Sequence, residues 1–455
     1  PKKAQIKAVS GVAAKIYPLD INPLADEEIG VIYENWNAVG EAVYNDTNGM
    51  GIYKPTKGDG STNDPFEIGT PEALAWFRYA VYAETRTYWC IVLTADLDMN
   101  GEKYNDGAGK LQWMGIETSH TVKQRGYAGT VDGGGHALSN FYSSDGFIGG
   151  AFDGTVRDFG IESGEVSGGS AGGIARETVY VEFTGFRTRA VFERCYNKAN
   201  ITATGAGYPY AAGIVAIARE GTRIIDCYNT GTITAVYKGE CRAGGIAAYA
   251  PTIVNCYNTG QVTMDGSPNS TLADGVSPGG SLTNCYSLEG MAAGKRGIIR
   301  TETQMKSWAF AYKLNGEKMD GAWKYTEGKT PGFGTLDAAS SWSAVTQGVT
   351  DGFITAIAAS DDGTGFYAID TADKLALFAR DVNAGTKSTA NAKLTANIDL
   401  TGTKYGGISD APVPWTPIGT LDNIYQGNFN GNGKVIANMK VEQAGVGGLF
   451  GYAGG

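Results

Sequence analysis

Histidine is nearly missing from this chain: His120 and His136 are its two copies in 455 residues. A catalytic apparatus built on imidazole, such as a Ser-His-Asp triad, has little material to work with. Charge is also sparse, at 18% Asp, Glu, Lys and Arg, and its balance is acidic, with a formal net charge of −10. That balance leaves no basic footprint for nucleic acid, which is therefore not an expected partner. No run of eighteen apolar residues occurs, so no transmembrane segment is expected. A signal peptide is lacking as well, and the chain opens on Pro1 rather than Met. We read this as a mature form whose leader has been removed, which points to export.

Glycine, by contrast, is abundant, with 67 copies against a usual share of about half that. Its positions have no three-residue period, which excludes collagen. Wholesale disorder is excluded by 42% hydrophobic and 11% aromatic residues.

The glycines fall into repeats. Cys195-Tyr196-Asn197, Cys227-Tyr228-Asn229, Cys256-Tyr257-Asn258 and Cys285-Tyr286-Ser287 recur at spacings of 32, 29 and 29 residues. Three residues before each Cys stands an apolar side chain (Phe192, Ile224, Ile253, Leu282), and Ile201, Ile233 or Val262 follows six after it. A second motif precedes each: Ala171-Gly172-Gly173-Ile174, Ala211-Ala212-Gly213-Ile214, Ala243-Gly244-Gly245-Ile246 and Ala273-Asp274-Gly275-Val276. A unit of about thirty residues with two short β-branched segments cannot bury a core alone and must stack on its neighbours. Helical repeats fit poorly with Gly and β-branched residues at the periodic positions. The expected fold is all-β: a right-handed parallel β-helix or β-solenoid with short capping helices and a duplicated cassette.

The duplication is read from residues 63–150, which recur at 363–455. Leu93-Thr94-Ala95-Asp96-Leu97-Asp98 matches Leu394-Thr395-Ala396-Asn397-Ile398-Asp399, and Gly146-Phe147-Ile148-Gly149 answers to Gly448-Leu449-Phe450-Gly451. Thr70-Pro71 and Thr371 open a helix in each copy, with Leu74 and Phe77, or Leu375 and Phe378, as the apolar stripe. The expected organisation is a leading segment 1–57 (cap, linker or donated strand), a first cassette 58–348 and an incomplete second cassette 349–455. Residues 301–316 read as one helix closing the first cassette, from the capping box Thr301-x-x-Gln304 to a stop at Gly316. The second cassette is expected to present an open edge, covered either by further chain or by a neighbouring molecule.

Residues 58–455 resemble bacterial surface proteins that carry the GLUG motif. The resemblance rests on Gly58-Asp59-Gly60-Ser61-Thr62-Asn63-Asp64-Pro65-Phe66, the paired Leu-Thr-Ala stretches, Trp415-Thr416-Pro417-Ile418-Gly419, and Gly448 to Gly451. It implies a secreted or wall-displayed β-helical repeat protein, often adhesin-like, with no single conserved chemistry. His136 becomes Lys434 in the second copy, which speaks against a shared role for that side chain.

Asp96-x-Asp98-x-Asn100-Gly101 copies the first half of a calcium loop, but its twelfth position is Gly107, where a bidentate Glu is wanted. Calcium at Asp96, Asp98 and Asn100 is thus a weak candidate beside turn capping by the same carboxylates. Cys195, Cys227, Cys256 and Cys285 lack Cys-x2-Cys spacing, and stacking at about 4.8 Å is longer than a relaxed disulfide prefers. They read as a ladder of buried thiols, beside an amide ladder of Asn197, Asn229 and Asn258. The insertion 176–190 breaks the repeat with Arg176, Glu177, Arg189, Tyr180, Phe183, Phe186 and Arg187; the last four are candidate contacts for a glycan or partner. No catalytic residue and no cofactor is assigned.

The reading is a structural, adhesive, extracellular or cell-surface protein that is not an enzyme. Its expected partners are other copies of itself, extracellular matrix or glycans, with end-to-end filaments as one form of assembly. A carbohydrate-active β-helix enzyme is the alternative. Thiol titration of the denatured chain without reductant is expected to recover at least the four ladder cysteines; recovery of none would overturn the ladder.

Overall fold

The computed structural model describes residues 31–105, 107–117, 126–179, 188–205, 207–237, 239–266, 272–442 and 445–454. The chain divides into two compact units, 1–300 and 301–455. The first is built mainly of short strands in parallel sheets; among the described residues the second combines four α-helices with two small parallel sheets and one antiparallel strand pair.

In the first unit each repeat contributes strands to successive parallel sheets. The largest sheet runs through Phe66–Ile68, Ile91–Leu93, Thr130–Asp132, Thr155–Ile161, Val191–Asn197, Tyr228–Asn229, Tyr257–Asn258, Tyr286–Leu288 and Ile298–Arg300, neighbours in that order. A second sheet runs through Gln112–Trp113, Phe141–Ser143, Gly164–Gly168, Asn200–Thr204, Ile233–Val236 and Val262–Asp265. Two four-stranded sheets hold the Ala-Gly motifs and the segments that follow them. The register places like on like: Tyr196, Tyr228, Tyr257 and Tyr286 are partners in turn, as are Ile201, Ile233 and Val262. Alternation then decides burial, because successive strand side chains point to opposite faces. Ile201 and Ala203 are fully buried while Thr202 between them is half-exposed.

A left-handed residue forms a corner before each ladder Cys and before Phe159. Asp158, Arg194, Asp226, Asn255 and Asn284 have φ between 49° and 53°. Asp and Asn tolerate this region better than other L-residues. Arg194 is the exception, and its guanidinium bonds both carboxylate oxygens of Asp158, at 2.5 and 2.7 Å. The corner at Asp158 also reveals a repeat that the motif does not mark. Phe159, Gly160 and Ile161 pair in register with Cys195, Tyr196 and Asn197 and share no residue with them.

In the first unit, α1 (Trp36–Tyr44) and α2 (Pro71–Glu84) precede the repeats. Thr70 caps α2 through Ala73 N at 3.2 Å, with Pro71 in the first turn. Residues 31–57 are therefore part of the first unit's packing, because Trp36, Val39 and Val43 belong to the buried core. The indole Nε1 of Trp36 donates to Met99 O at 3.2 Å, and Tyr33 N donates to Tyr104 O at 2.7 Å. A free linker or donated strand is excluded for this part of the segment. Residues 1–30 lie outside the described residues.

The second unit contains α3 (Glu302–Met305), α4 (Trp308–Leu314), α5 (Trp342–Thr350) and α6 (Ala372–Asn383). The single helix expected over 301–316 is two. Lys306 leaves helical geometry at φ −96°, ψ 37°, and Ser307 starts a new helix by accepting from Phe310 N at 3.2 Å. These helices belong with the second unit rather than closing the first. Trp308 stacks on Tyr312 at 5.0 Å, and Tyr312 packs on Tyr405 at 5.7 Å. Residues 348 and 349, the expected cassette boundary, are consecutive positions inside α5.

The duplication also begins earlier than residue 63. Trp342 on α5 repeats Trp36: its Nε1 donates to Leu400 O at 3.4 Å, and its ring meets Tyr405 edge-on at 5.6 Å, as Trp36 meets Tyr104 at 5.7 Å. Each of these tyrosines donates to a first-turn carboxylate, Tyr104 to Glu72 and Tyr405 to Asp373, both at 2.7 Å. Further on, Trp113 Nε1 donates to Phe147 O and Trp415 Nε1 to Leu449 O.

The copies differ at the far edge. Val131, Leu138 and Phe141 are completely buried, and Thr155–Ile161 pairs beside the strands of the first two. Phe429 and Ile436, their counterparts, are half-exposed, and Met439 is 38% exposed.

Trp36→Ala is expected to destabilise the protein by about 3–5 kcal/mol, the cost of truncating a fully buried large aromatic. Denaturant unfolding measures it, and an unchanged midpoint would return residues 31–57 to the linker or donated-strand reading.

Candidate functional site

The repeated signature folds into three adjacent columns. All six cysteines are free and buried. In the ladder, Cys195 N donates to Cys227 Sγ at 3.4 Å and Cys227 N to Cys256 Sγ at 3.3 Å. Burial pushes the Cys195 and Cys256 thiols well up, so they stay protonated and unreactive at neutral pH. Beside them Tyr196, Tyr228 and Tyr257 stack nearly parallel, with centroids 5.1 and 5.2 Å apart. Burial, first of all, raises the Tyr228 phenol as well.

The third column is the amide ladder, and it is fully buried. Asn197 Nδ2 donates to Asn229 Oδ1 and Asn229 Nδ2 to Asn258 Oδ1, both at 2.7 Å. Each Nδ2 also donates to the carbonyl two residues on, that of Ala199, Gly231 or Gly260. Ladder polarity leaves one acceptor over. Asn197 Oδ1 is buried without a hydrogen-bond partner among the described residues, where the preceding repeat offers Ile161.

The Ala-Gly motifs explain themselves against this ladder. A Cβ on Gly213 would fall 2.5 Å from the Asn229 carboxamide, and one on Gly173 2.7 Å from Asn197 Oδ1. Gly245 faces Asn258 and Gly275 faces Ser287 in the same way. None of these four has a positive φ, so glycine is required there for space rather than for backbone conformation. Sequence reasoning found both motifs and missed that one is the mould of the other. It also missed that Gly-Phe-Ile-Gly is the same position one repeat earlier: Phe147 N donates to Gly173 O and Ile148 N to Ile174 O.

The calcium candidate falls on a turn. Asp98 Oδ1 accepts from Asn100 N at 3.0 Å and from Asn140 Nδ2 at 2.9 Å. Asp96 Oδ1 accepts from Ala137 N at 3.0 Å and contacts His136 Nδ1 at 3.2 Å. The second copy repeats the arrangement, with Asp399 bonding Thr401 and Asn438, and Asn397 bonding Val435 N. These carboxylates join one repeat to the next, and among the described residues no three His, Cys, Asp or Glu side chains gather to hold a metal.

Of the irregular insertion, Tyr180, Phe183, Phe186 and Arg187 lie outside the described residues. Its flank forms an ion-pair network in which Arg176 meets Asp145 at 2.9 Å, Glu177 at 3.2 Å and Glu117 at 3.5 Å. Nearby, Arg78 is buried and donates through Nε to Met114 O at 3.1 Å. Arg189 pairs with Asp153 at 3.3 Å. No helix among the described residues is long and apolar enough to cross a membrane.

No family model matches the chain, and no curated protein matches it. Among solved structures, a "putative immunoglobulin A1 protease" from Bacteroides ovatus aligns with 61% of this chain and 94% of its own, at 20% identity and a TM-score of 0.41. A likeness at that level carries no argument about activity.

Asn229→Ala removes the middle of the amide ladder and strands the Gly231 carbonyl. It is expected to cost about 2–4 kcal/mol, the sum of one or two buried polar groups left unpaired. Equilibrium unfolding checks this, and a loss within the range of a surface substitution would contradict it.

Proposed function

We propose that the chain is an exported structural protein of the cell surface. In this reading the stacked sheets form a right-handed β-solenoid with a duplicated cassette, of the kind the GLUG resemblance implies, and its faces present adhesive surfaces to matrix, glycans or its own copies. The observation that carries the reading is the use made of the repeated residues. The Cys, Tyr and Asn columns and the glycines against them all bond or pack along the stack. A scaffold whose repeated positions are spent on stacking gains rigidity, and its surface is then available for display.

The half-exposed edge at Phe429, Ile436 and Met439 supports a cover on this face, either further chain or a neighbouring molecule joined end to end, since paired parallel strands cover its counterpart in the first unit. An association of that kind is heterologous and grows as a fibre.

Two measurements on the full chain test the proposal. A matrix-protein and glycan array is expected to show retention without chemical change, and depolymerisation on a polysaccharide panel would favour the enzyme instead. Light scattering is expected to show concentration-dependent growth that Met439→Lys suppresses. A monomer at all concentrations, silent on the array, would overturn the reading.

A further inference from the structure

The second unit holds a groove of about 520 Å³ that no repeat motif marks. It lies among α3, α4 and α5 and the segment carrying Tyr325. Trp308 on α4 forms part of its wall, Tyr325 lines another side, and Gln304, Gln347 and Asp351 supply the polar groups. Its volume falls within the range of small-ligand sites, about 300–1,000 Å³.

The polar groups are held in place before any ligand arrives. Gln304 belongs to the capping box: its backbone N donates to Thr301 Oγ1 at 3.3 Å and its Oε1 accepts from Thr301 N at 3.1 Å. Its Nε2 then donates to Asp351 Oδ1 at 3.3 Å, and Gln347 Nε2 donates to the same oxygen at 3.1 Å. Asp351 itself sits at the C-terminal cap of α5, its backbone N bonded to Gln347 O and Val349 O. Two amides thus hold one oxygen of a carboxylate whose Oδ2 makes no hydrogen bond among the described residues. Pre-organisation of this kind lowers the entropic cost of binding.

We propose that this groove binds one ring of a neutral saccharide, as the glycan-contact site of the adhesive reading, on which it rests for the ligand's source. Sugar hydroxyls donate to Asp351 Oδ2 and bond to the exposed Gln347 amide without bringing a charge. Charge-assisted bonds to a carboxylate are stronger than neutral ones. The apolar C–H face of the ring lies on Tyr325, whose amphipathic side chain suits one dry and one wet side. Anionic sugars are disfavoured by Asp351, because the nearby Lys306 ammonium is already paired with Glu302 at 2.5 Å.

The test is a glycan array of neutral and acidic saccharides, with saturation-transfer NMR on each hit, using the full chain and three variants. Gln347→Ala removes an exposed side chain, Tyr325→Ala the half-buried ring, and Asp351→Asn the charge alone, with melting curves to confirm folding. Neutral glycans are expected to bind, and each variant is expected to weaken them by about tenfold or more, the loss of one good contact. Arg189→Ala, in the first unit, is expected to bind as the unaltered chain does. Glycan binding that survives all three variants would overturn the groove and leave the adhesive reading standing. Retention of matrix proteins without any saccharide would do the same. Silence on both arrays would overturn both.

Discussion

The fit of an Asn carboxamide into the space of a missing side chain organises the first unit. Asn197, Asn229 and Asn258, together with the carbonyl of the facing glycine in the next repeat, crowd the space that a Cβ on Gly173, Gly213 and Gly245 would occupy. A buried amide has two donors and an acceptor to satisfy, and leaving them unpaired costs more than any hydrogen bond gains. The stack meets that demand by bonding each amide to the next repeat and to a carbonyl of its own. Register follows, since a slip of one residue would set apolar side chains against the amides and carboxamides against the core. The chain therefore holds its repeats in place with polar groups, while Phe192, Ile224, Ile253 and the cysteines supply the apolar filling.

A second constraint is the start of each stack. A parallel stack exposes strand edges where it begins, and both copies place the same assembly there. A tryptophan indole bonds the carbonyl just past the end of a short strand, a tyrosine packs edge-on against it, and the tyrosine hydroxyl donates to a carboxylate in the first turn of α2 or α6. Glu72 shows how closely this is matched. Burial pushes its carboxyl up, yet bonds from Lys103 and Tyr104 outweigh burial and hold it below the usual range. Glu72 is thus ionised and paired at neutral pH, and its contribution to stability is present above the ordinary carboxylate range and lost on acidification.

Much of this was legible beforehand because stacking places like on like. Identical residues at fixed spacing announced the Cys, Tyr and Asn columns, and Thr70-Pro71 and the Thr301 capping box announced helix starts by local chemistry alone. Part of what escaped notice had no local signature. Phe159-Gly160-Ile161 occupies the place of Cys-Tyr-Asn with different residues, because a core position asks for volume and not identity. Gly160 serves there since the Tyr196 ring lies where its side chain would be. Trp36 and Trp342 did carry a shared signature, since Ala38, Val39 and Val43 match Ala344, Val345 and Val349 at the same spacing, but it lies outside the stretch in which the duplication was read. The groove beside α3 needs three helices brought together, and its Gln304 was visible only as a cap.

The most direct test of the complementarity lies at Gly275, where the nearest atoms to a Cβ among the described residues all belong to Ser287. A double-mutant cycle of Gly275→Ala and Ser287→Gly isolates that one contact. The account predicts that Gly275→Ala alone costs about 1–3 kcal/mol through overpacking, and that Ser287→Gly, by clearing the space, removes most of that cost. Additive losses in the unfolding free energy, with no relief in the double variant, would contradict it.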